Sequence, residues 1–172
     1  MNRNTRNEMN MGIRPAMSAD ITTIKAIAVE TDMFGLSETG FVDETVAGVI
    51  DGSLDDHHWL VSESDDGKVN GAAYYAPEPF ADRMWNLYFI AVSPTWQGSG
   101  VGGLLVQRLE SGLLQRGPEH AQSLIVETSS TDQYARTREF YPKHGFVEEA
   151  RIRRFYGPND DKVVFWKLLA HA

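Results

Sequence analysis

A cluster of glycines precedes a predicted amphipathic helix near the middle of the chain. Residues 97–103 read Gln-Gly-Ser-Gly-Val-Gly-Gly, and the leucines that follow form an apolar stripe at helical spacing. The first N–H groups of a helix have no intrahelical acceptor, and the helix dipole adds about half a positive charge at the same end. Because glycine has no β-carbon, an anion can approach these N–H groups closely. The pattern therefore predicts a site that binds phosphate or pyrophosphate through the main chain.

Three ligands carry phosphates that suit such a loop: a nucleoside triphosphate, a dinucleotide and coenzyme A. A Walker A site needs Lys and then Ser or Thr after its last glycine, whereas Leu104 and Leu105 follow Gly103. Nucleoside triphosphate hydrolysis is therefore disfavoured. A serine hydrolase is also disfavoured, because the residues two positions before and after Ser99 are not the glycines that a nucleophile elbow requires.

The dinucleotide has support from spacing. Gly98, Gly100 and Gly103 satisfy the G-x-G-x-x-G fingerprint, and Glu127 lies near the distance at which an acid would bind the ribose. In that fingerprint the glycines follow a strand directly within a parallel βαβ unit, whereas SPTWQ intervenes here and the flanking strands are predicted to form hairpins. A dinucleotide site remains an alternative, as does a glycine-rich loop without a ligand.

Hydrophobic periodicity predicts the elements around this loop. A short strand turns at Pro15, a helix capped by Ser18 follows, and a second helix ends near Gly52. Runs rich in aromatic and β-branched residues then predict three antiparallel strands. The glycine-led helix, one strand, a helix that breaks around Pro142 and a terminal hairpin complete the chain. The order βααβββαβαββ, with helices interleaved among largely antiparallel strands, predicts an α+β fold.

Composition limits the function classes. The formal net charge is -8, from 24 acidic and 16 basic residues without a basic stripe, so nucleic-acid binding is disfavoured. The chain has no cysteine, which excludes disulfides and a thiolate nucleophile or zinc ligand. No apolar run has the length of a membrane span, and residues 1–11 are polar, unlike a signal peptide. We therefore expect a cytoplasmic protein with one domain over residues 12–172 and a frayed segment over residues 1–11.

Two motifs together resemble the GCN5-related N-acetyltransferase (GNAT) superfamily. Residues 97–102 match its Q/R-x-x-G-x-G/A pattern after a central strand, and residues 138–146, REFYPKHGF, resemble its helix with a tyrosine followed by Gly-Phe. The predicted element order is also that of the family. The resemblance implies direct transfer of an acetyl group from acetyl-CoA to a primary amine in a ternary complex, without a metal. It also implies a mixed, mostly antiparallel sheet whose central strands splay apart.

The resemblance further implies how acetyl-CoA is held. Residues 90–92 would pair with the pantetheine arm as an added strand does, and the glycine loop would bind the pyrophosphate. The thioester would lie in the gap between the segments IAV and VET, with the Val92 N–H as donor to the oxyanion. The predicted cofactor-binding residues are Ile90, Ala91, Val92, Gln97, Gly98, Ser99, Gly100, Val101, Gly102 and Gly103.

Two side chains are candidates for proton transfer. Glu127 ends an apolar strand, where partial burial makes a carboxylate a stronger base, and some relatives carry a glutamate at the similar position. We predict that it is the base, with a solvated carboxylate or a salt-bridge partner as the alternative. Tyr141 occupies the position of the family tyrosine and is the candidate acid for the leaving thiolate, the alternative being an aromatic packed beneath the cofactor.

One departure from the family lies between these two residues. Many relatives carry an asparagine shortly after the strand, whereas this chain has Ser129, Ser130 and Thr131. Either a hydroxyl replaces that amide or the contact is absent.

The sequence leaves the acceptor open among a small amine, an amino acid, an antibiotic and a protein terminus.

Adjacent His57 and His58 would point in opposite directions on a strand and complete no metal spacing. The charged hairpin RIRRF with NDDK is expected at the surface, although such hairpins border the acceptor pocket in the family. Four aromatic residues could line that pocket but are expected in the core: Tyr74, Tyr75, Trp85 and Tyr88. A homodimer, and a non-catalytic sensor that binds coenzyme A or a dinucleotide, also remain open.

Overall fold

The computed structural model describes residues 12–171; the segment 1–11, predicted to fray, and Ala172 lie outside the described residues. Helices and strands follow the predicted order, which is thereby confirmed. The strands are β1 (Gly12–Pro15), β2 (His58–Glu63), β3 (Val69–Pro77), β4 (Met84–Val92), β5 (Ser123–Ser129), β6 (Val147–Gly157) and β7 (Asp160–Leu168). The helices are α1 (Ile21–Glu30), α2 (Gly40–Asp51), α3 (Val101–Gln115) and α4 (Ala135–Lys143).

The seven strands form one sheet in the order β1-β2-β3-β4-β5-β7-β6. Neighbouring strands are antiparallel except β4 and β5, which are parallel and are connected through α3. This arrangement confirms the predicted α+β class with a mixed, mostly antiparallel sheet.

The helices cover the sheet from both faces. α1 and α2 pack with β2, β3 and β4 in one core, to which the largest contributors are Ile24, Val42, Val46, Trp59 and Phe89. α3 and α4 pack on the other face in a second core with Leu105, Leu109, Trp85, Val126, Tyr141 and Phe165. The α1–α2 core contains no described residue of β5, β6 or β7. The face of these three strands that lies on the α1–α2 side of the sheet therefore extends past the α1–α2 core.

The start of α1 differs from the prediction in one detail. Ser18 begins a short 3-10 turn and its side chain makes no capping hydrogen bond. The carboxylate of Asp20 instead accepts the N–H of Met17 at 2.7 Å and is held by the guanidinium of Arg14 in β1. An ion pair to a neighbouring strand thus replaces the predicted serine cap.

The central strands diverge halfway along their length. Residues 84–87 of β4 pair with residues 123–126 of β5, and no pairing between the two strands follows within residues 12–171. β4 nevertheless stays paired with β3 as far as Val92, and β5 stays paired with β7 as far as Ser129. A gap therefore opens between Tyr88–Val92 on one side and Glu127–Ser129 on the other, and the splay implied by the resemblance is present.

A β-bulge marks the point of divergence. Tyr74 pairs with Phe89 and Tyr75 pairs with Leu87, so that Tyr88 is an extra residue without a partner in β3. A bulge bends its strand and increases the local twist, which turns the second half of β4 away from β5. The alternating pattern of β4 did not reveal this residue as a bulge.

Candidate active site

The β4 side of the gap presents main-chain groups. Ser93 donates its N–H to the carbonyl of Asn70 at 2.9 Å, so this group faces β3. Successive residues of a strand direct their N–H groups to opposite sides. Ala91 therefore directs its main chain toward β3, whereas Ile90 and Val92 direct theirs toward the gap. Pairing with an arm in the gap consequently depends on Ile90 and Val92.

The glycine loop follows β4 and has a conformation that two of its glycines make possible. Gly98 has φ 79° and Gly100 has φ 96°, both in the left-handed region that side chains with a β-carbon disfavour. A β-carbon at either position would have no described atom within 4 Å, so both glycines border open space. The loop is therefore exposed to a ligand at these two positions.

Five N–H groups of this segment have no acceptor among the described residues: those of Gly98, Gly100, Val101, Gly102 and Gly103. The N–H of Ser99 is used within the loop, because it donates to the carbonyl of Trp96 at 3.3 Å. Intrahelical bonding begins with Leu104, which donates to the carbonyl of Gly100 at 3.0 Å. The start of α3 therefore offers a cluster of free donors at the mouth of the gap, where the helix dipole is positive.

Gly102 and Gly103 have a packing role that the sequence did not predict, and their role in cofactor binding stays a prediction. A β-carbon on Gly102 would lie 3.1 Å from Cε2 of Phe140, and one on Gly103 would lie 2.7 Å from Cε1 of His144. Both neighbours belong to α4 or the residue that ends it. These two glycines allow α4 to pack closely against α3, while Gly98 and Gly100 leave room for an anion.

Gln97 connects the loop to the strand before it. Its side-chain Nε2 donates to the carbonyl of Val92 at 3.2 Å, across the end of the gap. The contact fixes the loop relative to β4 without adding charge.

A cleft of about 590 Å³ opens beside the loop, between α3, the end of α4 and β7. The ammonium of Lys167 at its wall is bound to Glu110 at 2.5 Å and to the carbonyl of His144 at 2.8 Å. Burial and the nearby ammonium lower the pKa of His144, so that its imidazole is neutral near pH 7. The lining residues are Ser99, Gly100, Gly103, Leu104, Val106, Gln107, Glu110, His144 and Lys167.

Tyr141 lies in the core beneath the gap. It is 2% exposed, and its ring centroid is 5.3 Å from that of Phe165 and 5.6 Å from that of Phe146. Burial raises the pKa of its phenol, because ionisation would place a charge among apolar groups. The hydroxyl makes no hydrogen bond to any residue of the described chain, so its proton is not committed to a protein acceptor. Its role as an acid remains a prediction.

Glu127 is the first residue of β5 beyond the pairing with β4. Its side chain is 31% exposed, and its Oε2 lies 2.7 Å from Nζ of Lys162. The salt-bridge alternative given for this residue is therefore what the structure contains. Its role as a base remains a prediction.

Lys162 is the last residue of the charged segment NDDK, but the sequence did not single it out as a site residue. It lies on β7, pairs in register with Ser129, and is only 12% exposed, with its ammonium 3.6 Å from the ring centroid of Phe155. Nothing in the local pattern KVVFWKL marks this lysine. Only the register between β5 and β7 places it beside Glu127.

A second polar group borders the bulge. Glu78 accepts hydrogen bonds from the Tyr88 hydroxyl at 3.0 Å and from Nδ2 of Asn86 at 2.9 Å. Burial and then the Glu78 carboxylate raise the pKa of Tyr88, which therefore stays protonated as a donor. At 45% exposure, Tyr88 is available to a ligand, in contrast to the buried Tyr74, Tyr75 and Trp85.

The two histidines at the start of β2 are used in packing. Nδ1 of His57 lies 2.6 Å from the hydroxyl of Tyr74, and the ring of His58 stacks on Tyr75. Within residues 12–171, no three histidine, cysteine or acidic residues lie close enough to hold a metal ion. No helix in the same range is long and apolar enough to cross a membrane.

The segment after β5 is held by hydroxyls and one guanidinium. Ser129 Oγ donates to Asp160 at 2.6 Å and lies 2.8 Å from the Thr131 hydroxyl. Arg138 of α4 donates to the carbonyls of Ser129 and Thr131, each at 2.7 Å. The hydroxyls that replace the family asparagine therefore bind the protein itself and fix the start of α4.

Comparison with known proteins agrees with this geometry. Residues 55–148, more than half of the chain, match the family model described as an acetyltransferase (GNAT) domain. No curated protein matches the chain.

Solved structures have the same fold. A protein of Desulfovibrio desulfuricans assigned to the GNAT family is 29% identical and has a TM-score of 0.82, over 93% of this chain and 99% of its own. The yncA protein of Salmonella typhimurium, solved with acetyl-CoA, is 24% identical with a TM-score of 0.76, over 95% and 96% of the two chains. An aminoglycoside 6'-N-acetyltransferase solved with coenzyme A is 16% identical with a TM-score of 0.73, over 94% and 98%. With the splayed strands and the free N–H groups at the start of α3, these matches show that the chain belongs to the GNAT family of acetyltransferases.

Proposed function

We propose that the protein is an N-acetyltransferase that moves the acetyl group of acetyl-CoA to a primary amine by direct attack in a ternary complex. The observation that carries the proposal is the set of free N–H groups at the start of α3, which opens onto the gap between β4 and β5. These donors suit a pyrophosphate. The gap offers main-chain groups of Ile90 and Val92 to an extended arm, and acetyl-CoA supplies the activated thioester carbonyl.

Glu127 would remove the proton from the amine. A lysine-like amine has a pKa near 10.4, so that its neutral form costs about 4 to 5 kcal/mol at neutral pH. A carboxylate at the mouth of the gap lowers this cost by accepting the proton, directly or through water. Because Lys162 holds the same carboxylate, the acceptor must share Glu127 with it or displace it.

Two further groups would act on the transition state and the product. The Val92 N–H faces the gap and would donate to the oxyanion that forms on attack. Tyr141 would donate its proton to the leaving thiolate. Its raised pKa keeps that proton in place over the whole neutral range. A non-catalytic sensor would need the same donor site but neither of these groups.

Binding and turnover assays with acetyl-CoA, NAD and a panel of amines test the proposal. Since a ligand that binds only the folded state raises the apparent stability, acetyl-CoA should increase the melting temperature and NAD should not. Acetylation of at least one amine is expected. Binding of acetyl-CoA without transfer to any amine would favour a sensor, and stabilisation by NAD alone would favour a dinucleotide site.

Two matched variants connect this result to the loop. Gly100→Ala places a residue with a β-carbon in a left-handed backbone conformation, which costs about 1 to 2 kcal/mol. The variant should therefore weaken acetyl-CoA binding. Gly52→Ala makes the same change at the end of α2, where φ is 76° and the space is also open. Gly52→Ala should lower stability similarly without changing the affinity for acetyl-CoA. Equal effects of the two variants on affinity would argue against the loop as the donor site.

A further inference from the structure

The ion pair between Glu127 and Lys162 lies on the open face of β5 and β7. Glu127 pairs in register with Val164, and Lys162 pairs with Ser129, so the two side chains project from the same face of the sheet. This face belongs to the part of the sheet that lies beyond the α1–α2 core. Both charges therefore lie at the β5 side of the gap, on the face of the sheet opposite α3.

Each charge has the other as its polar partner. Oε2 of Glu127 lies 2.7 Å from Nζ of Lys162, the ammonium also lies over the ring of Phe155, and no further polar partner of either group is found within residues 12–171. A lysine ammonium has three donors, and a carboxylate has about four acceptor positions. The remaining positions on both groups are therefore open to water or to a ligand with complementary charges.

The pair is not needed to align the strands. β5 and β7 are paired at seven consecutive positions from Ser123 to Ser129, which fixes their register through the main chain. A shielded ion pair gains little stability, because desolvation of the charges offsets their attraction. Substrate recognition accounts for the pair better than stability does.

Two opposite charges side by side complement a zwitterion. We infer that the acceptor is an α-amino acid, whose ammonium is bound by Glu127 and whose carboxylate is bound by Lys162. The inference rests on the proposed function. Glu127 takes one proton of the bound ammonium, the nitrogen forms the bond to the acetyl carbon as the C–S bond breaks, and the thiolate receives the proton of Tyr141. The second proton of the nitrogen passes through water to the Tyr141 phenolate and restores the tyrosine.

The surroundings of the pair favour an apolar amino-acid side chain. Val164, which is opposite Glu127, is partly exposed, and Ile152, opposite Lys162 on β6, is 48% exposed. Phe155 lies against the ammonium of Lys162 and is 52% exposed. Burial and then the Glu127 carboxylate raise the pKa of Tyr156 to about 12, so this tyrosine also stays a neutral donor near the pair.

Matched acceptors test the inference directly. L-leucine, L-leucinamide and isoamylamine share one side chain. On the carbon that carries the amine they have, in that order, a carboxylate, a neutral amide and neither group. Phenylalanine, phenylalaninamide and phenethylamine form a second series of the same kind. The kcat/KM of the acid should exceed that of the amide by about tenfold or more, because a charge-assisted contact to Lys162 is lost with the amide. Lys162→Met should remove this preference, chiefly by raising KM for the acid.

Controls separate recognition from stability. Lys25→Met removes a lysine that is also ion-paired, at 2.6 Å to Asp43, but on α1, and it should leave the preference unchanged. If Lys162→Met does not fold, Lys162→Gln keeps a neutral donor on a side chain that is one bond shorter. Binding of the amino acid in the presence of coenzyme A gives a readout that needs no turnover, and it should be lost in the Lys162 variants.

Acetylation of amides and bare amines as efficiently as acids, or an acid preference that survives Lys162→Met, would overturn this inference and leave the proposed function intact. Failure to bind acetyl-CoA and to acetylate any acceptor would overturn both.

Discussion

The two sides of the gap are built from different groups. The β4 side presents main-chain N–H groups, those of Ile90, Val92 and the start of α3. The β5 side presents the side chains of Glu127 and Lys162. We refer to these as the donor side and the acceptor side.

Main-chain donors depend on backbone conformation rather than on residue identity. A donor side of this kind can therefore persist while most side chains change. The acceptor side depends on individual side chains, each of which one substitution can remove. Variants should therefore separate the two sides kinetically.

The largest effect is expected at Glu127. Glu127→Gln removes the proposed base but keeps a side chain of the same shape, and kcat should fall by about 10² to 10⁴. KM for acetyl-CoA should stay within about twofold, because the donor side is unchanged. Steady-state kinetics over both substrates measure the two parameters.

Glu63→Gln is a matched control for this variant. Glu63 is the last residue of β2, is also ion-paired, at 2.7 Å to Arg14, and is similarly exposed, at 33%. The Glu63→Gln variant should leave kcat unchanged. An equal loss of kcat in both variants would mean that the effect is one of stability.

A smaller effect is expected for Tyr141→Phe. A thiolate with a reference pKa near 8.5 leaves fairly well without a proton, so loss of the acid should lower kcat by only about tenfold. Tyr75→Phe removes another buried hydroxyl from the same core and should not change kcat. Unchanged turnover of Tyr141→Phe across the pH range would exclude Tyr141 from the mechanism and leave it as a packed aromatic.

The burial of Tyr141 also predicts how stability depends on pH. The folded-state pKa of this phenol is raised, so its contribution to stability is complete below about pH 10, the pKa in the unfolded chain, and is lost as pH rises toward the folded-state value. The free energy of unfolding should decrease by up to about 1.4 kcal/mol per pH unit from this group. Denaturant unfolding of the wild type and Tyr141→Phe at several alkaline pH values measures the difference. Equal slopes would show that the hydroxyl beneath the donor side is open to water.

The smallest effect is expected at Gln97. Its side chain donates one neutral hydrogen bond to Val92, so Gln97→Ala should raise KM for acetyl-CoA by about twofold to tenfold without changing KM for the amine. Gln133→Ala removes a similar bond, from Nε2 to the carbonyl of Asp32 at 3.0 Å, away from the loop. A change in KM for the amine would indicate that Gln97 acts on the acceptor side as well.

The donor side was largely predictable from the sequence. Glycine clusters and a leucine stripe have a local physical meaning, so the loop, α3 and the unpaired N–H groups at its start followed from residues 97–113. The roles of Gly102 and Gly103 did not, because their neighbours Phe140 and His144 are far away in the sequence. The bulge at Tyr88 was also missed, since it appears only in the register with β3.

The acceptor side was much less predictable. Glu127 was found because it lies near the end of the apolar strand that follows the glycine-led helix. Lys162 lies in a strand pattern that does not specify which strand pairs with it. Their contact depends on the pairing of β5 with β7, which local periodicity does not specify.

The sequence by itself determined the order of elements, the glycine loop before α3 and the family, because periodicity, glycine placement and short motifs act over a few neighbouring residues. The tertiary structure decided where β4 and β5 part, which glycines border open space, and which charged residue lies beside Glu127. These features depend on strand register and helix packing between distant segments, where a shift of one residue would move a side chain to the opposite face of the sheet.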